Sequence, residues 1–437
     1  MPAVKHVLVA GGGWAGCAAA VALARAGHRV TLLEAARTLG GRARSVQAHG
    51  QQLDNGQHIL LGAYTSTLGL LREVGIDPHD ALLHLPLQMC YPEGSGGMHF
   101  VAPRLPAPLH MGVALLRARG LSGADKMALA RFSTSARWMD WTLHKDCSVS
   151  ELLERFDQTA RLTQLMWRPL CLAALNTAPE RASAKVFLAV LRDSLGARRA
   201  ASDMLIPRRD LSALFPLAAA RRLEQAGASV RTGAKVDAIA RHGDGWRIDA
   251  SGSAVGGNWA VYADAVVVAT PPAVAAALLH MPQLAAFDFE AITTCYLQYA
   301  PGTRLERAFF ALADDPAQGD WGQFVFDRGQ LDAAQAGLMA VVVSASGEAA
   351  ALGQDALAQA VAAQLARQFK LPAPQSSQVI TEKRATFACT PELARPPNAS
   401  GQRGLVLAGD YTASDYPATL EAAVRSGLAA AALLDKE

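Results

Sequence analysis

Three features of the sequence predict an α/β fold. A strand, glycine turn, helix and strand open the chain; a second buried strand ending in Gly409-Asp410 lies near its far end; and the long middle is first helical, then rich in strands. Two interleaved domains are expected. A Rossmann-like domain with a parallel sheet is assembled from residues 1–85, 208–278 and 395–437. An α+β domain, an antiparallel sheet with a helical insertion, takes 86–207 and 279–394. With 437 residues, the chain is long enough to bury large cores.

The opening unit runs from Val4 to Glu34. His6 to Ala10 is a short apolar run that breaks into Gly11-Gly12-Gly13-Trp14-Ala15-Gly16, which fits G-x-G-x-x-G. Cys17 to Ala26 is an Ala, Val and Leu helix closed by Gly27, and Arg29 to Leu33 supplies the second strand. Each part has a task if a dinucleotide binds. Gly11 permits the tight turn, Gly13 lets backbone approach a pyrophosphate, and Gly16 lets helix pack on strand. The N–H groups of Trp14, Ala15 and Gly16 would face the phosphates at the positive end of the helix, and Glu34 would accept from a ribose.

Composition excludes several classes. The net charge of +3 gives no electrostatic case for nucleic acid. Six cysteines are scattered with no C-x-x-C pair, which argues against a metal site or a disulfide framework and for a reducing compartment. The first residues carry one Lys and lead straight into the glycine turn, unlike a secretory leader. No apolar run reaches the roughly 20 residues of a spanning helix. A cytoplasmic location is expected, with attachment to the inner face of the cytoplasmic membrane as the other reading.

Gly40-Gly41-Arg42 can wrap a loop over phosphates with Arg42 as a charged donor; a solvated surface turn is the plain alternative. Leu53 to Gly62 sets a polar turn in apolar sequence, so that Asn55, Gly56, Gln57 and His58 line a pocket. His58 also reads as an ordinary structural histidine. Leu105 to Thr142 mixes Leu, Met and Trp with arginines, as in a pair of amphipathic helices at a lipid interface or in a helical cap of the second domain. Leu152 to Leu195 continues as helices interrupted at Pro169 and Pro179, with Trp167, Leu170, Leu172 and Leu175 as apolar surface.

After Pro207 the composition shifts. Asp210 precedes a helix over Leu211–Ala226, and strands follow at 229–232, 235–240, 246–248 and 259–262. Ala265 to Ala269 reads as a buried parallel strand stopped by Thr270-Pro271-Pro272. Strands at 293–299, 309–312, 323–326 and 338–344, a helix over 356–369 and a strand over 379–387 suggest an antiparallel sheet. Leu405 to Ala408 is a buried strand, and Pro417 opens a helix running to about Leu434. Gly252 to Gly257 holds glycines without a following helix, so no second nucleotide domain is visible.

Together, Gly11 to Gly16, Glu34, Gly40-Gly41-Arg42 and Asp54-Asn55-Gly56 resemble the front end of the flavin amine oxidase and carotenoid desaturase superfamily. Gly-Gly-Gly-Trp-Ala-Gly at 11–16, Asp-Asn-Gly-Gln-His at 54–58 and Trp167-Arg168-Pro169-Leu170-Cys171 are similar to its squalene-associated branch, the hydroxysqualene dehydroxylases. The resemblance implies FAD, held by Gly11, Gly13, Trp14, Ala15, Gly16, Glu34, Gly41, Arg42, Asn55, Gly56, Gln57, Val236 (through its backbone, at the adenine), Gly409, Asp410, Thr419 and Leu420. It implies a polyprenoid substrate, reductive loss of an allylic hydroxyl from hydroxysqualene, and hydride from the reduced flavin N5 to an allylic cation. It also suggests association with squalene-pathway synthases. His58 is the candidate acid, because a histidine titrates near neutral pH. The rivals are a carotenoid or squalene desaturase, which runs the redox chemistry the other way, and a flavin amine oxidase.

Overall fold

The computed structural model describes residues 4–48, 50–252 and 257–437. Five parallel strands form one sheet in the order Ser229–Thr232, Arg29–Glu34, His6–Ala10, Ala265–Val268 and Leu405–Leu407. The opening strand sits in the centre, with Val9 opposite Leu32 on one side and Val267 on the other. Val7, Leu8, Val9 and Val266 to Val268 are fully buried, which is why these strands read as continuous apolar runs rather than alternating ones. Three antiparallel strands, Ala234–His242, Gly245–Gly252 and Gly257–Ala263, cover one face. The stretch between Gly252 and Gly257, residues 253–256, lies outside the described residues.

The helix Trp14–Arg25 packs on the other face, and the closing helix Leu420–Lys436 packs against it. Contact is close: a Cβ on Gly427 would meet Ala15 O at 2.2 Å. The closing helix starts at Leu420 with Thr419 as its cap, Thr419 Oγ1 accepting from Ala422 N at 3.1 Å, rather than at Pro417 as the sequence suggests. A real cap competes better for the first N–H groups than a proline that only tolerates the turn.

A second antiparallel sheet runs Phe309–Ala311, Phe324–Asp327, Leu338–Val343, Phe289–Gln298 and Ser376–Phe387. Its apolar side joins the core of the helical region, where Trp167, Phe187, Phe309 and Phe326 are buried together. Two helical expectations change in detail. The 211–226 stretch is two helices, Leu211–Leu214 and Pro216–Gln225, because Phe215 at φ −138° leaves the helical region ahead of Pro216.

Pro169 does not interrupt its helix either. The turn Thr163–Trp167 widens to a π-turn that runs into Arg168–Leu175. Pro169 has no N–H for the Leu165 carbonyl four residues back, and the Tyr91 hydroxyl donates to that oxygen instead at 2.9 Å. The helical pair expected over 105–142 comprises Leu109–Arg117 and Gly123–Trp138, the latter opened by a Ser122/Asp125 capping box.

Candidate active site and its cofactor cradle

The carboxyl ends of the parallel strands converge on the glycine turn. Gly11 adopts φ +106°, and a Cβ there would lie 2.6 Å from Ala269 O; one on Gly16 would lie 1.9 Å from Gly11 O. No side chain caps the helix that follows, so its first N–H groups are free of side-chain acceptors. Gly40 N donates to Gly12 O at 2.8 Å, which lays the second glycine loop, Gly40-Gly41-Arg42, against the first. Gly13 and Gly41 face each other there with backbone alone. Trp14 spends its side chain on structure, Nε1 donating to Ala43 O at 3.0 Å and the ring packing on Phe215, so only its backbone is available to a ligand.

Glu34 ends the second strand with its carboxylate accepting from Gly12 N at 2.6 Å and Ala36 N at 2.7 Å. Gly233 N donates to Ala36 O, bringing the strand that carries Val236 alongside this end. The last segment arrives through Arg42, whose Nη2 pairs with Asp410 Oδ1 at 2.6 Å and whose Nη1 donates to Ala385 O at 2.8 Å. Burial lowers the Arg42 pKa, but the Asp410 and Glu382 charges outweigh it and hold the guanidinium charged. Gly409 N donates to Ser426 Oγ on the closing helix, so Gly409, Asp410 and the Thr419-Leu420 helix start share one corner.

The Asp54 to His58 segment lies between the two sheets. Asn55 Nδ2 donates to Arg42 O and to Glu382 Oε2, at 3.1 and 3.0 Å. Asp54 Oδ1 accepts from Leu211 N at 2.8 Å, and burial with Asp210 nearby raises its pKa to about 6. Gln57 turns toward the antiparallel sheet, its Oε1 accepting from Arg328 Nη1 at 3.0 Å.

His58 Nδ1 pairs with Gly56 O at 2.7 Å, and burial lowers the imidazole pKa. A carbonyl can only accept, so neutral His58 carries its proton on Nδ1 and leaves Nε2 as a lone pair. That tautomer opposes the acid role expected from sequence; it suits a proton acceptor.

The sequence reading missed Arg328, Glu382, Arg395 and Thr270. Arg395 Nη2 donates to Asp410 O, and the Thr270 hydroxyl, beside the turn that Gly11 enters, is buried without a partner among the described residues. Thr270 was within reach, since its strand and stop were legible; the other three arrive from distant elements with no local pattern.

The cradle has a counterpart among known proteins. Residues 14–434 match the family model described as flavin containing amine oxidoreductase. The chain belongs to that family. It is 30% identical to a hydroxysqualene dehydroxylase of Rhodopseudomonas palustris, over 98% of both chains, and 28% identical to one of Sinorhizobium fredii, again over 98% of both. A 15-cis-phytoene desaturase of Solanum lycopersicum is 25% identical over 97% of this chain and 76% of its own. Among solved structures, an oxidoreductase of Methanosarcina mazei has a TM-score of 0.71 at 16% identity, covering 97% and 99% of the two chains. Cyclohexylamine oxidase of Brevibacterium oxydans has 0.67 at 16%, covering 100% and 99%. The last two show the fold.

This family member is an FAD-dependent oxidoreductase. Its residues fit that cofactor. The glycine loops form a backbone cradle that side chains would fill, the helix N-terminus is uncapped, and among the described residues the buried Thr270 hydroxyl, Arg395 Nε and Tyr411 hydroxyl have no partner. Among the described residues, no group of His, Cys, Asp or Glu is arranged to hold a metal ion, and no helix is long and apolar enough to cross a membrane.

Proposed function

We propose that this chain catalyses the FAD-dependent reductive removal of the allylic hydroxyl of hydroxysqualene to give squalene. The observation that carries the reading is similarity to relatives of that name over 98% of this chain and of theirs. When bound, reduced flavin supplies the hydride. The chain's own part is to place the glycine loops, Glu34, Arg42, Asn55, Val236, Asp410 and the Thr419-Leu420 helix start about the cofactor, and to keep the far side dry. Dryness is supported by the apolar core beyond Asp54, with Ile59, Leu83, Leu85 and Met89 partly buried at its edge. An allylic cation formed there would be shielded from water. Phe287 lies tilted against Phe387 and edge-on to Tyr411 next to Asp410, and aromatic faces favour positive charge, as the Arg395 guanidinium over the Phe387 ring shows.

A polyprenoid must be collected from lipid. The exposed side chains of Leu109, Leu116, Met127 and Trp138, the last 90% exposed, stand on the helices Leu109–Arg117 and Gly123–Trp138 beside Arg117, Arg131 and Arg137. We read this face as a peripheral contact with an anionic membrane, and direct hand-over from a squalene-pathway synthase as its counterpart. Flotation with anionic vesicles tests it. Trp138→Ser with Leu116→Ser should lose flotation while keeping FAD, and unchanged flotation rejects the contact.

The deciding experiment for the reaction is anaerobic. The flavoprotein is reduced with dithionite, freed of excess, and mixed with hydroxysqualene while flavin absorbance and extracted lipid are followed. Reoxidation with matching squalene is expected. The similarity to phytoene desaturases sustains one rival: bleaching of the oxidised protein by a polyprenoid hydrocarbon, with no reoxidation by the alcohol, would make it a desaturase.

A further inference from the structure

The segment from Asn55 to Gln57 turns its polar groups two ways. Asn55 belongs to the cofactor side, through Arg42 O and the N–H it donates to Arg44 O at 2.8 Å. Gln57 faces the antiparallel sheet, with its backbone N 3.5 Å from Thr294 Oγ1 and its Oε1 on Arg328 Nη1 at 3.0 Å. A guanidinium only donates, so the amide oxygen must face Arg328 and the amide NH2 must point away. That Nε2 is buried without a partner among the described residues, and Gln57 as a whole is 9% exposed.

Arg328 is itself unusual. It is 3% exposed and follows the strand Phe324–Asp327. Its Nε donates to a second amide oxygen, Gln335 Oε1, at 2.7 Å. Among the described residues it makes no ion pair. A buried guanidinium between two neutral amides is a poor device for stability, since each unmet charge or donor carries a desolvation cost. It is a good device for fixing one amide's orientation. Two residues on, Gln330 lines a cavity of about 330 Å³ together with Leu83, Leu85, Gln88, Arg307 and Ala308; Gln57 and Arg328 themselves stand outside that lining.

We infer that Arg328 is a positioning residue that locks Gln57 so that its amide donor holds the hydroxyl oxygen of the substrate, and that this pair discriminates an allylic alcohol from the corresponding hydrocarbon. The inference rests on the dehydroxylase reading and assigns its alcohol specificity. Gln57 is thereby moved from the cofactor, where the sequence resemblance places it, to the substrate. A single well-held donor suffices, because a hydrocarbon leaves it unpaired while the alcohol fills it.

The test compares ligands rather than rates. FAD-loaded wild type, Gln57→Leu, Arg328→Met and Arg328→Lys are titrated in detergent micelles with hydroxysqualene and with squalene, following the flavin absorbance change. Each variant should lose roughly tenfold in affinity for the alcohol, the worth of one hydrogen bond, and nothing for squalene. Lysine keeps the charge but not the fork to two amides, so it should not rescue. Equal losses for both ligands, or no loss for the alcohol, overturn the inference. So does a shift of the ligand-free flavin spectrum with discrimination unchanged, which would mean the donor serves the cofactor. If the Arg328 variants do not fold, Gln335→Leu removes only the outer anchor and should weaken alcohol binding in the same selective way. The wild type's reductive assay separates the two claims: no squalene from wild type rejects the reaction, whereas variants with intact discrimination reject only the Gln57–Arg328 assignment.

Discussion

Between Gly11 and Glu34 the cofactor side is made largely of main chain: an uncapped helix start, two glycine loops in backbone contact, and a strand end whose one carboxylate bonds backbone N–H groups. The side toward the antiparallel sheet is made of side chains from far apart, with Gln57 on Arg328 and the Tyr296 hydroxyl on Asp54 O. A backbone cradle tolerates many side chains and almost no added Cβ. A side-chain lattice has the opposite weakness: each member can be trimmed without collapse, but its partner is left unmet. One fold can therefore keep its cofactor while its chemistry diverges, as amine oxidase and dehydroxylase relatives on this scaffold illustrate.

The contrast can be broken most directly at Gly16. Gly16→Ala places a methyl in the Gly11 carbonyl, so loss of ~4 kcal/mol or more and of bound flavin is expected from the purified protein's 450-to-280 nm absorbance ratio. Full flavin content there would refute a backbone-limited cradle.

Asp54 comes next. Its folded pKa, about 6, stands above the unfolded 3.8, so its contribution to stability is fully present below pH 3.8 and is lost as pH rises through 6. Asp54→Asn keeps an acceptor for Leu211 N and removes that dependence. The variant should gain on wild type by about 2.4 kcal/mol between pH 4 and pH 7 in urea unfolding, and parallel curves would mean Asp54 is not desolvated as described.

Tyr91→Phe orphans the Leu165 carbonyl that Pro169 cannot serve, at a cost of about 1–3 kcal/mol in the same measurement. The smallest effect is expected at His58. His58→Ala should keep its FAD and lose less than about tenfold in turnover, because Nε2 is an acceptor rather than the acid. A loss beyond a hundredfold with FAD retained would restore the donor role.

Much of the cofactor side was legible because its signals are local. Gly11 to Gly16 needs only its neighbours in sequence to become a turn, and Ala265 to Val268 is apolar on both faces because it is buried on both. Helix details were less legible: the Thr419 cap and the π-turn before Pro169 depend on which donors and acceptors stand nearby in space, the latter on Tyr91, seventy-four positions away.

By itself the sequence determined the parallel sheet with its glycine turn and the antiparallel sheet, since periodicity and backbone freedom are properties of short segments. Only the tertiary structure decided which way Gln57 and His58 face. An amide or an imidazole takes its orientation and tautomer from the partner it meets, and those partners are Arg328, from the far sheet, and the Gly56 carbonyl, fixed by the bend of its own loop.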